Sequence, residues 1–153
     1  MCIRDRREAA LDLFHRDFGR TNLVAFGEVM DLDAAPTIVA EMNGEIAGAL
    51  AYRLVDAGLH VVALATDPMW QRSGVGGYLV AEAELLARRL HIPKVIVATT
   101  NDNLPSLYFY QRRGYSIIEW VPNGVAKHAK GMNPIGFGGI PIRDEIRLEK
   151  TIG

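Results

Sequence analysis

The sequence predicts an α/β fold of the mixed-sheet (α+β) kind, in which helices pack on one β-sheet. An apolar run at residues 59–65 is followed by a glycine-rich turn at residues 71–77 and an amphipathic stretch at residues 75–90. A second run rich in β-branched residues, Lys94–Thr100, then predicts a parallel strand reached through a helical crossover. An Asn-Gly pair at residues 43–44, between two further apolar stretches, predicts an antiparallel hairpin.

The length and composition exclude several classes of protein. The 153 residues fit a single domain, which we assign to residues 1–153. The formal net charge of −1 argues against a nucleic-acid partner. No apolar run approaches the roughly 18 residues that span a membrane, and Cys2 is the only cysteine, so we expect a cytoplasmic protein without disulfides or a membrane partner. No metal site is expected from the wide spacing of the four histidines, His15, His60, His91 and His128.

The first half of the chain predicts one helix and a hairpin. Residues 6–18 carry apolar side chains at helical spacing, and Gly19 is expected to end that helix. The residues before them are too few for a full strand and turn, so the first strand is expected to be short or missing. Residues 21–35 have a mixed pattern and predict helix or loop. The arms of the hairpin are predicted at Thr37–Met42 and residues 46–54.

The second half predicts a further helix and the last two strands. Residues 101–103 supply capping groups for that helix, and Gly114 is expected to end it. Strands are predicted at residues 115–121 and 142–150. The segment between them, residues 122–141, is predicted to be a long loop, and such loops are often functional.

The glycine-rich turn predicts an anion site, because backbone N–H groups and the positive end of a helix dipole meet where a helix begins. Two phosphate-binding motifs fit it poorly. A P-loop ends in Gly-Lys-Ser/Thr, whereas this turn continues with Tyr78. A dinucleotide-binding turn has a third glycine where Leu79 stands, and the next strand ends in Thr99 and Thr100 rather than in an acid. Considered alone, the turn is also explained by a purely structural need for glycine flexibility.

The turn is accompanied by a second motif. Residues 71–76, Gln-Arg-Ser-Gly-Val-Gly, resemble the Gln/Arg-x-x-Gly-x-Gly/Ala signature of the GNAT superfamily of acyl-CoA-dependent N-acetyltransferases. Residues 100–103 resemble the Asn-containing turn of that family, and residues 107–115 resemble its Phe-Tyr-x-x-x-Gly-Phe/Tyr segment. Residues 140–146 are similar to the opening of the last strand in small bacterial members. The resemblance covers nearly the whole chain after Arg6 and implies a central mixed sheet with helices on both faces.

For this sequence the resemblance implies acetyl-CoA as co-substrate and a primary amine, of a small molecule or a peptide, as acceptor. Acetyl-CoA would lie between the strands at residues 59–65 and Lys94–Thr100. Tyr110 is the implied general acid that protonates the CoA thiolate. Asn103 is expected both to cap its helix and to contact the co-substrate. The implied co-substrate-binding residues are Leu64, Ala65, Thr66, Gln71, Arg72, Ser73, Gly74, Val75, Gly76, Gly77 and Asn103.

The sequence leaves the general base open. Many members of the family carry a glutamate at the position of Ala98, which accepts no proton. Asp144, Glu119 and Glu41 are candidates, a water chain is another, and each carboxylate is equally explained as a solvated or capping group. Because Ala98 accepts no proton, the alternative function is a non-catalytic acyl-CoA-binding sensor or regulatory module. The presence of Tyr110 argues against this alternative. The sequence predicts either a monomer or a homodimer.

Overall fold

The computed structural model describes residues 3–18, 22–125 and 135–152, and within them three helices and eight strands. Short 3-10 turns lie at Pro68–Trp70 and Phe137–Gly139. The helices and strands, in chain order, are α1 (Ile3–Phe18), β1 (Asn22–Ala25), β2 (Glu28–Asp31), β3 (Thr37–Met42), β4 (Glu45–Val55), β5 (Gly58–Thr66), α2 (Val75–Arg89), β6 (Lys94–Thr100), α3 (Leu104–Arg112), β7 (Ser116–Val121) and β8 (Glu145–Thr151).

Six of the strands form one mixed sheet in the order β3-β4-β5-β6-β8-β7, and β1 and β2 form a separate hairpin. The only parallel neighbours within these described strands are β5 and β6, which α2 connects. The other neighbouring pairs of the sheet are antiparallel. The predicted mixed sheet with its helical crossover is therefore confirmed.

Helices cover both faces of this sheet. On one face, Leu79 and Ala83 of α2 pack with Leu59 of β5 in one apolar cluster. On the other face, Leu13 and Phe14 of α1 form a second cluster with apolar side chains of β4, β5 and the β1–β2 hairpin. The strand β5 is apolar almost throughout because both of its faces are buried.

An irregularity in β5 opens the sheet at its centre. Tyr52 of β4 pairs with Val61, and the preceding residue Ala51 pairs with Ala63, so Val62 is an extra residue in β5. Such a β-bulge bends its strand and ends regular pairing. The parallel ladder between β5 and β6 stops at the pair of Val61 with Val97, although both strands continue. The ends of β5 and β6 consequently separate, and β5 keeps a free backbone edge that faces β6.

The local signals in the sequence predict most element boundaries. Asn43 and Gly44 form the two-residue turn between β3 and β4, with φ of 54° and 81°, as the Asn-Gly pair predicts. Asn103 caps α3 by accepting a hydrogen bond from the Ser106 N–H at 3.2 Å. Gly114 follows α3 with φ of 90°, the left-handed conformation that glycine adopts at a helix end.

The prediction of helix or loop at residues 21–35 is wrong. This part of the chain contains β1 and β2, joined by a turn in which Phe26 and Gly27 have φ of 55° and 75°. Four-residue strands are too short to show a clear period-2 pattern, and phenylalanine is an unusual turn residue. Contacts with α1 and the sheet therefore determine this hairpin.

The two ends of the chain differ in detail from the prediction. The described chain before residue 6 belongs to α1, and no strand precedes that helix among the described residues. Of the predicted loop at residues 122–141, residues 126–134 lie outside the described residues. The last strand begins at Glu145 rather than at residue 142, because the N–H groups of Arg143 and Asp144 donate to Asn101 Oδ1, both at 2.9 Å.

Candidate active site

A cavity of about 1020 Å³ lies where α2 begins. Gly74 is the N-terminal cap of α2 with φ of 89°, and no side chain caps this end of the helix. The first N–H groups of an α-helix have no partner within the helix, so they are available to a ligand. The predicted co-substrate residues that line this cavity are Leu64, Thr66, Gln71, Arg72, Gly74, Val75, Gly76, Gly77 and Asn103.

Three arginines line this cavity, namely Arg72 of the turn, Arg16 of α1 and Arg113. Arg16 is paired with Asp67 at 3.1 Å, so Arg72 and Arg113 contribute most of the positive charge. The guanidinium of Arg113 lies 3.8 Å from the centre of the Phe109 ring. A β-carbon at Gly77 would come within 2.6 Å of Arg113 Nη2, so glycine at this position leaves room for the arginine. Sequence reasoning missed Arg16 and Arg113, and the only signal for Arg113 is its place inside the second motif.

Two predicted co-substrate residues do not line the cavity with their side chains. The Ser73 hydroxyl donates a hydrogen bond to the carbonyl of Trp70. Ala65 is buried in the apolar cluster on the α1 face of the sheet. Any contact of Ala65 with a ligand therefore involves its backbone, as the sequence analysis expects for this part of β5.

A second, smaller cavity of about 410 Å³ extends into the separation between β5 and β6. Its walls include residues 61–64 of β5 and residues 98–100 of β6, together with Tyr110. The two cavities adjoin, because they share five lining residues, namely Asp17, Phe18, Leu64, Asn103 and Ser106.

Tyr110 lines the smaller cavity from α3 and is only 5% exposed. Its ring makes edge contacts with Phe109 and Tyr115, at centroid distances of 5.1 and 5.5 Å. Burial raises the pKa of the Tyr110 phenol well above its usual value, and the charge of Arg113 opposes this only in part. The phenol is therefore fully protonated at neutral pH.

The neighbouring phenol of Tyr115 is already engaged. It donates a hydrogen bond of 3.0 Å to Glu84 Oε2, and Lys150 Nζ donates to Glu84 Oε1 at 3.0 Å. Burial and the adjacent Glu84 carboxylate raise the pKa of this phenol too. Tyr115 lines neither cavity, so Tyr110 is the phenol that a bound molecule can reach.

The carboxylates considered from the sequence lie outside both cavities. Asp144 falls within the strand predicted at residues 142–150, but it precedes β8 and is buried in a loop. Its oxygens accept hydrogen bonds from Trp120 Nε1 at 3.1 Å, from the Asn123 N–H at 2.8 Å and from the Arg143 side chain. These donors, the Arg143 side chain first, lower the pKa of Asp144, which makes it a weak base.

Glu119 and Glu41 are both exposed. The Glu119 carboxylate forms an ion pair of 2.8 Å with Arg147 on the outer side of the sheet. The two side chains therefore lie at the surface, and neither lines the smaller cavity between β5 and β6.

Three acids that sequence reasoning missed do line the smaller cavity: Asp17, Asp102 and Glu145. Burial, as the largest cause, raises the pKa of Asp17, which lies at the junction of the two cavities. Alternation along β8 is the one available signal for Glu145. Because Ile146 and Leu148 pack on the α2 side, their neighbours Glu145 and Arg147 point to the opposite face of the sheet.

Two general properties of the described chain bear on its chemistry. No group of three or more His, Cys, Asp or Glu side chains in residues 3–18, 22–125 and 135–152 is arranged to hold a metal ion. Within the same residues, each helix is too short or too polar to cross a bilayer.

Comparison with known proteins shows that this fold, a mixed sheet whose central strands separate, is the fold of acetyltransferases. Residues 4–115 match the family described as Acetyltransferase (GNAT). The chain therefore belongs to the GNAT acetyltransferase family, which confirms the resemblance found in the sequence motifs.

Individual relatives agree with this assignment. The chain is 31% identical over 146 residues to YdhI of Bacillus subtilis (strain 168), a protein described as uncharacterized, and the match covers 92% of this chain and 89% of YdhI. A GNAT family acetyltransferase from Elizabethkingia anophelis, with acetyl-CoA bound, is 27% identical with a TM-score of 0.72 and coverage of 79% and 78%. A Bacillus subtilis acetyltransferase in complex with CoA shares the fold at 24% identity, with a TM-score of 0.73 and coverage of 80% of each chain.

Proposed function

We propose that this protein transfers an acetyl group from acetyl-CoA directly to a primary amine, with Tyr110 as the acid that protonates the departing thiolate. The observation that carries the proposal is the continuity of the two cavities. A positively charged cavity at the start of α2 adjoins a smaller one between β5 and β6, and Tyr110 lines the smaller one. Membership of the GNAT acetyltransferase family supports acetyl-CoA as the donor.

The larger cavity suits the anionic part of acetyl-CoA. The N–H groups at residues 72–77 and the positive end of the α2 dipole attract a pyrophosphate, and Arg72, Arg16 and Arg113 add charge. The free edge of β5 beyond Val61 offers backbone groups to the amides of the pantetheine arm, as in the addition of a strand to a sheet. This path leads from the basic cavity to the separation between the two strands.

The transfer needs two proton movements. The amine nitrogen attacks the thioester carbon, so that the C–N bond forms, the C–S bond breaks and the sulfur leaves as a thiolate. Tyr110 donates its phenolic proton to that thiolate and regains one from solvent. With ordinary pKa values of about 8.5 and 10, this donation is uphill by roughly 2 kcal/mol. Burial raises the pKa of the Tyr110 phenol, and because burial also disfavours a thiolate at the same site, part of the effect cancels.

The amine gives its own proton to water or to a carboxylate. Asp17 is the carboxylate that best suits this role, because it lines both cavities and its pKa is raised by burial. A raised pKa makes a carboxylate a stronger base at neutral pH. Asp144 is less suitable, since its pKa is lowered and its oxygens are taken by other donors.

The Tyr110→Phe variant tests the proposal. Loss of a general acid lowers kcat by about 10²- to 10⁴-fold. The affinity for CoA should not change, because the phenyl ring keeps the packing of α3. Release of CoA thiol is followed with a chromogenic disulfide at saturating amine, and the acetylated product is identified by mass spectrometry. The amine panel comprises 2-phenylethylamine, 1,4-diaminobutane and a short peptide with a free N-terminus.

Tyr115→Phe is the matched control, since it also removes a buried phenol but lies outside both cavities. Its kcat should stay within about threefold of the wild type, because it takes no part in proton transfer. An undiminished kcat in Tyr110→Phe would contradict the acid role. Tight CoA binding without acetylation of any amine in the panel would instead favour the non-catalytic binding module.

A further inference from the structure

The two adjoining cavities carry opposite charges. The larger one is lined by three arginines and one acid, Asp17, and although Asp67 pairs with Arg16 at 3.1 Å, a net positive charge remains. The smaller one is lined by Asp17, Asp102 and Glu145, and among the described residues no lysine or arginine lines it. A site that holds an anionic donor on one side and excludes basic groups on the other is suited to a cationic acceptor.

Of the three acids, Asp102 has a structural role at the start of α3. Its Oδ1 accepts a hydrogen bond from the Thr100 hydroxyl, and its Oδ2 accepts one from the Phe137 N–H at 3.1 Å. The side chain thereby holds the segment that follows the long loop against the start of α3. Asp17 lies at the end of α1 and at the mouth between the cavities, where the residue as a whole is exposed but neighbouring protein atoms partly bury its carboxyl group. Glu145 is the acid that is buried in the wall of the smaller cavity.

The Glu145 carboxylate is only 2% exposed and is held in one orientation. Its Oε1 accepts from the Phe26 N–H at 2.6 Å, and its Oε2 accepts from Nε of Arg147 at 2.8 Å and lies 2.8 Å from Arg147 Nη2 in an ion pair. A carboxylate offers about four acceptor positions, and the described contacts use one of the two on Oε1. A charged and oriented acceptor of this kind forms strong hydrogen bonds with an ammonium group.

Arg147 pairs with two carboxylates that lie in different places. Its Nη1 pairs at 2.8 Å with Glu119, which is exposed outside the cavity, where water screens its charge. Arg147 lines neither cavity, whereas Glu145 does, so the carboxylate of the Glu145–Arg147 pair is the partner that lines the cavity wall.

The size and the remaining walls of the cavity restrict the acceptor further. A volume of about 410 Å³ is near the lower end of ordinary small-molecule sites. Apolar side chains at Phe18, Val24 and Ile142 line it beside the acids. This combination suits an ammonium group attached to a compact apolar body better than it suits a peptide chain, whose backbone amides would need partners.

We propose that the acceptor is a small-molecule primary amine, which binds as its ammonium ion with Glu145 as the anionic partner in the cavity wall. This proposal rests on the acetyl transfer proposed above and adds the substrate class and a specificity-determining residue. The ammonium pairs with Glu145 in the binding step and then gives one proton to water or to Asp17, which leaves the neutral amine that attacks the thioester carbon. The second proton of the nitrogen leaves by the same route after the C–N bond has formed, while Tyr110 protonates the thiolate.

Kinetics of Glu145→Gln with 2-phenylethylamine, or with 1,4-diaminobutane if that is the better substrate, test the proposal. Glutamine keeps an oxygen for the Phe26 N–H but removes the charge. The KM for the amine should rise by about 10- to 100-fold, as expected for loss of a hydrogen bond between charged partners, while the KM for acetyl-CoA stays the same. Glu119→Gln is the matched control, because it contacts the same Arg147 but is exposed outside the cavity. Its KM values should equal those of the wild type.

A measurement on the wild type covers the case in which Glu145→Gln does not fold. 2-Phenylethanol is the neutral analogue of 2-phenylethylamine. As a competitive inhibitor it should have an inhibition constant at least about tenfold higher than the Kd of the amine, because it lacks the ammonium charge. Equal binding of the two, or an unchanged amine KM in a folded Glu145→Gln protein, would overturn the role of Glu145. A higher kcat/KM for the peptide than for both small amines would overturn the substrate class. If no amine is acetylated at all, it is the acetyl-transfer function that fails.

Discussion

The left-handed backbone of Gly74 allows a direct test of the anion site at the start of α2. Gly74 has φ of 89°, and a β-carbon built on it meets no atom within 4 Å. The Gly74→Ala substitution therefore introduces backbone strain without a steric clash. Placing an L-residue in this conformation costs about 1–2 kcal/mol, which corresponds to roughly 5- to 30-fold in an equilibrium constant.

This strain is present in every state in which the turn keeps its observed shape. If the free variant keeps that shape, its free energy of unfolding falls by the full amount and its Kd for CoA does not change. If the free turn relaxes instead, stability falls less, and CoA must restore the shape, so the Kd rises by up to about 5- to 30-fold. In both cases the free energy of unfolding at saturating CoA falls by about 1–2 kcal/mol, because binding adds to the stability of the folded state.

Urea unfolding with and without CoA, combined with calorimetric titration of CoA, measures both quantities. Gly44→Ala is the control: Gly44 has φ of 81° and equally open space, but it lies in the turn between β3 and β4. It should lose the same stability with and without CoA and keep the wild-type Kd. A Gly74→Ala protein as stable as the wild type at saturating CoA would refute the reasoning. So would CoA binding that leaves the amide resonances of residues 72–77 unshifted.

Two further predictions concern stability. In Gly48→Ala the new β-carbon would lie 2.7 Å from Val75 Cγ1 and 2.9 Å from Leu79 Cδ1. This over-packing of α2 against the sheet should lower the free energy of unfolding by about 1–3 kcal/mol. Urea unfolding measures the change, and an unchanged midpoint would contradict the prediction. Burial first, and then two neighbouring guanidinium groups, lower the pKa of His60, whose ring stacks on Phe26. As the pH falls below about 6.5, His60 is protonated in the unfolded chain but stays neutral in the folded protein, so the folded protein loses stability. The advantage of the wild type over His60→Gln should shrink between pH 7 and 5, and parallel stability curves would argue against this account.

The sequence predicts those parts of the fold that neighbouring residues specify. The turn at Asn43 and Gly44 requires positive φ at two successive positions, which this pair adopts at little cost. The cap at Asn103 and the stop at Gly114 satisfy helix ends through groups within a few residues. The hairpin of β1 and β2 escapes prediction, because contacts with distant elements hold its short strands.

The anion site was predicted in outline. The glycines at Gly74 and Gly76, placed between a buried strand and an amphipathic stretch, indicate a helix start that binds phosphate, and the structure has a basic cavity there. Arg16 and Arg113 were not predicted as part of it, since they reach the cavity from two other helices. Which charged side chains surround a site depends on how those helices pack.

By itself, therefore, the sequence determined the order of the elements other than β1 and β2, the family, and the resemblance of the glycine turn to a co-substrate site, because those features depend on short-range backbone preferences and ordered motifs. Tertiary structure alone decided the bulge at Val62, the separation of β5 from β6 and the acidic cavity that holds Glu145. The sequence suggested Asp144 as a base, whereas the structure shows it as a buried carboxylate that accepts a hydrogen bond from the Asn123 N–H. The physical reason is that the charge and accessibility of a carboxylate depend on neighbours that are distant in sequence.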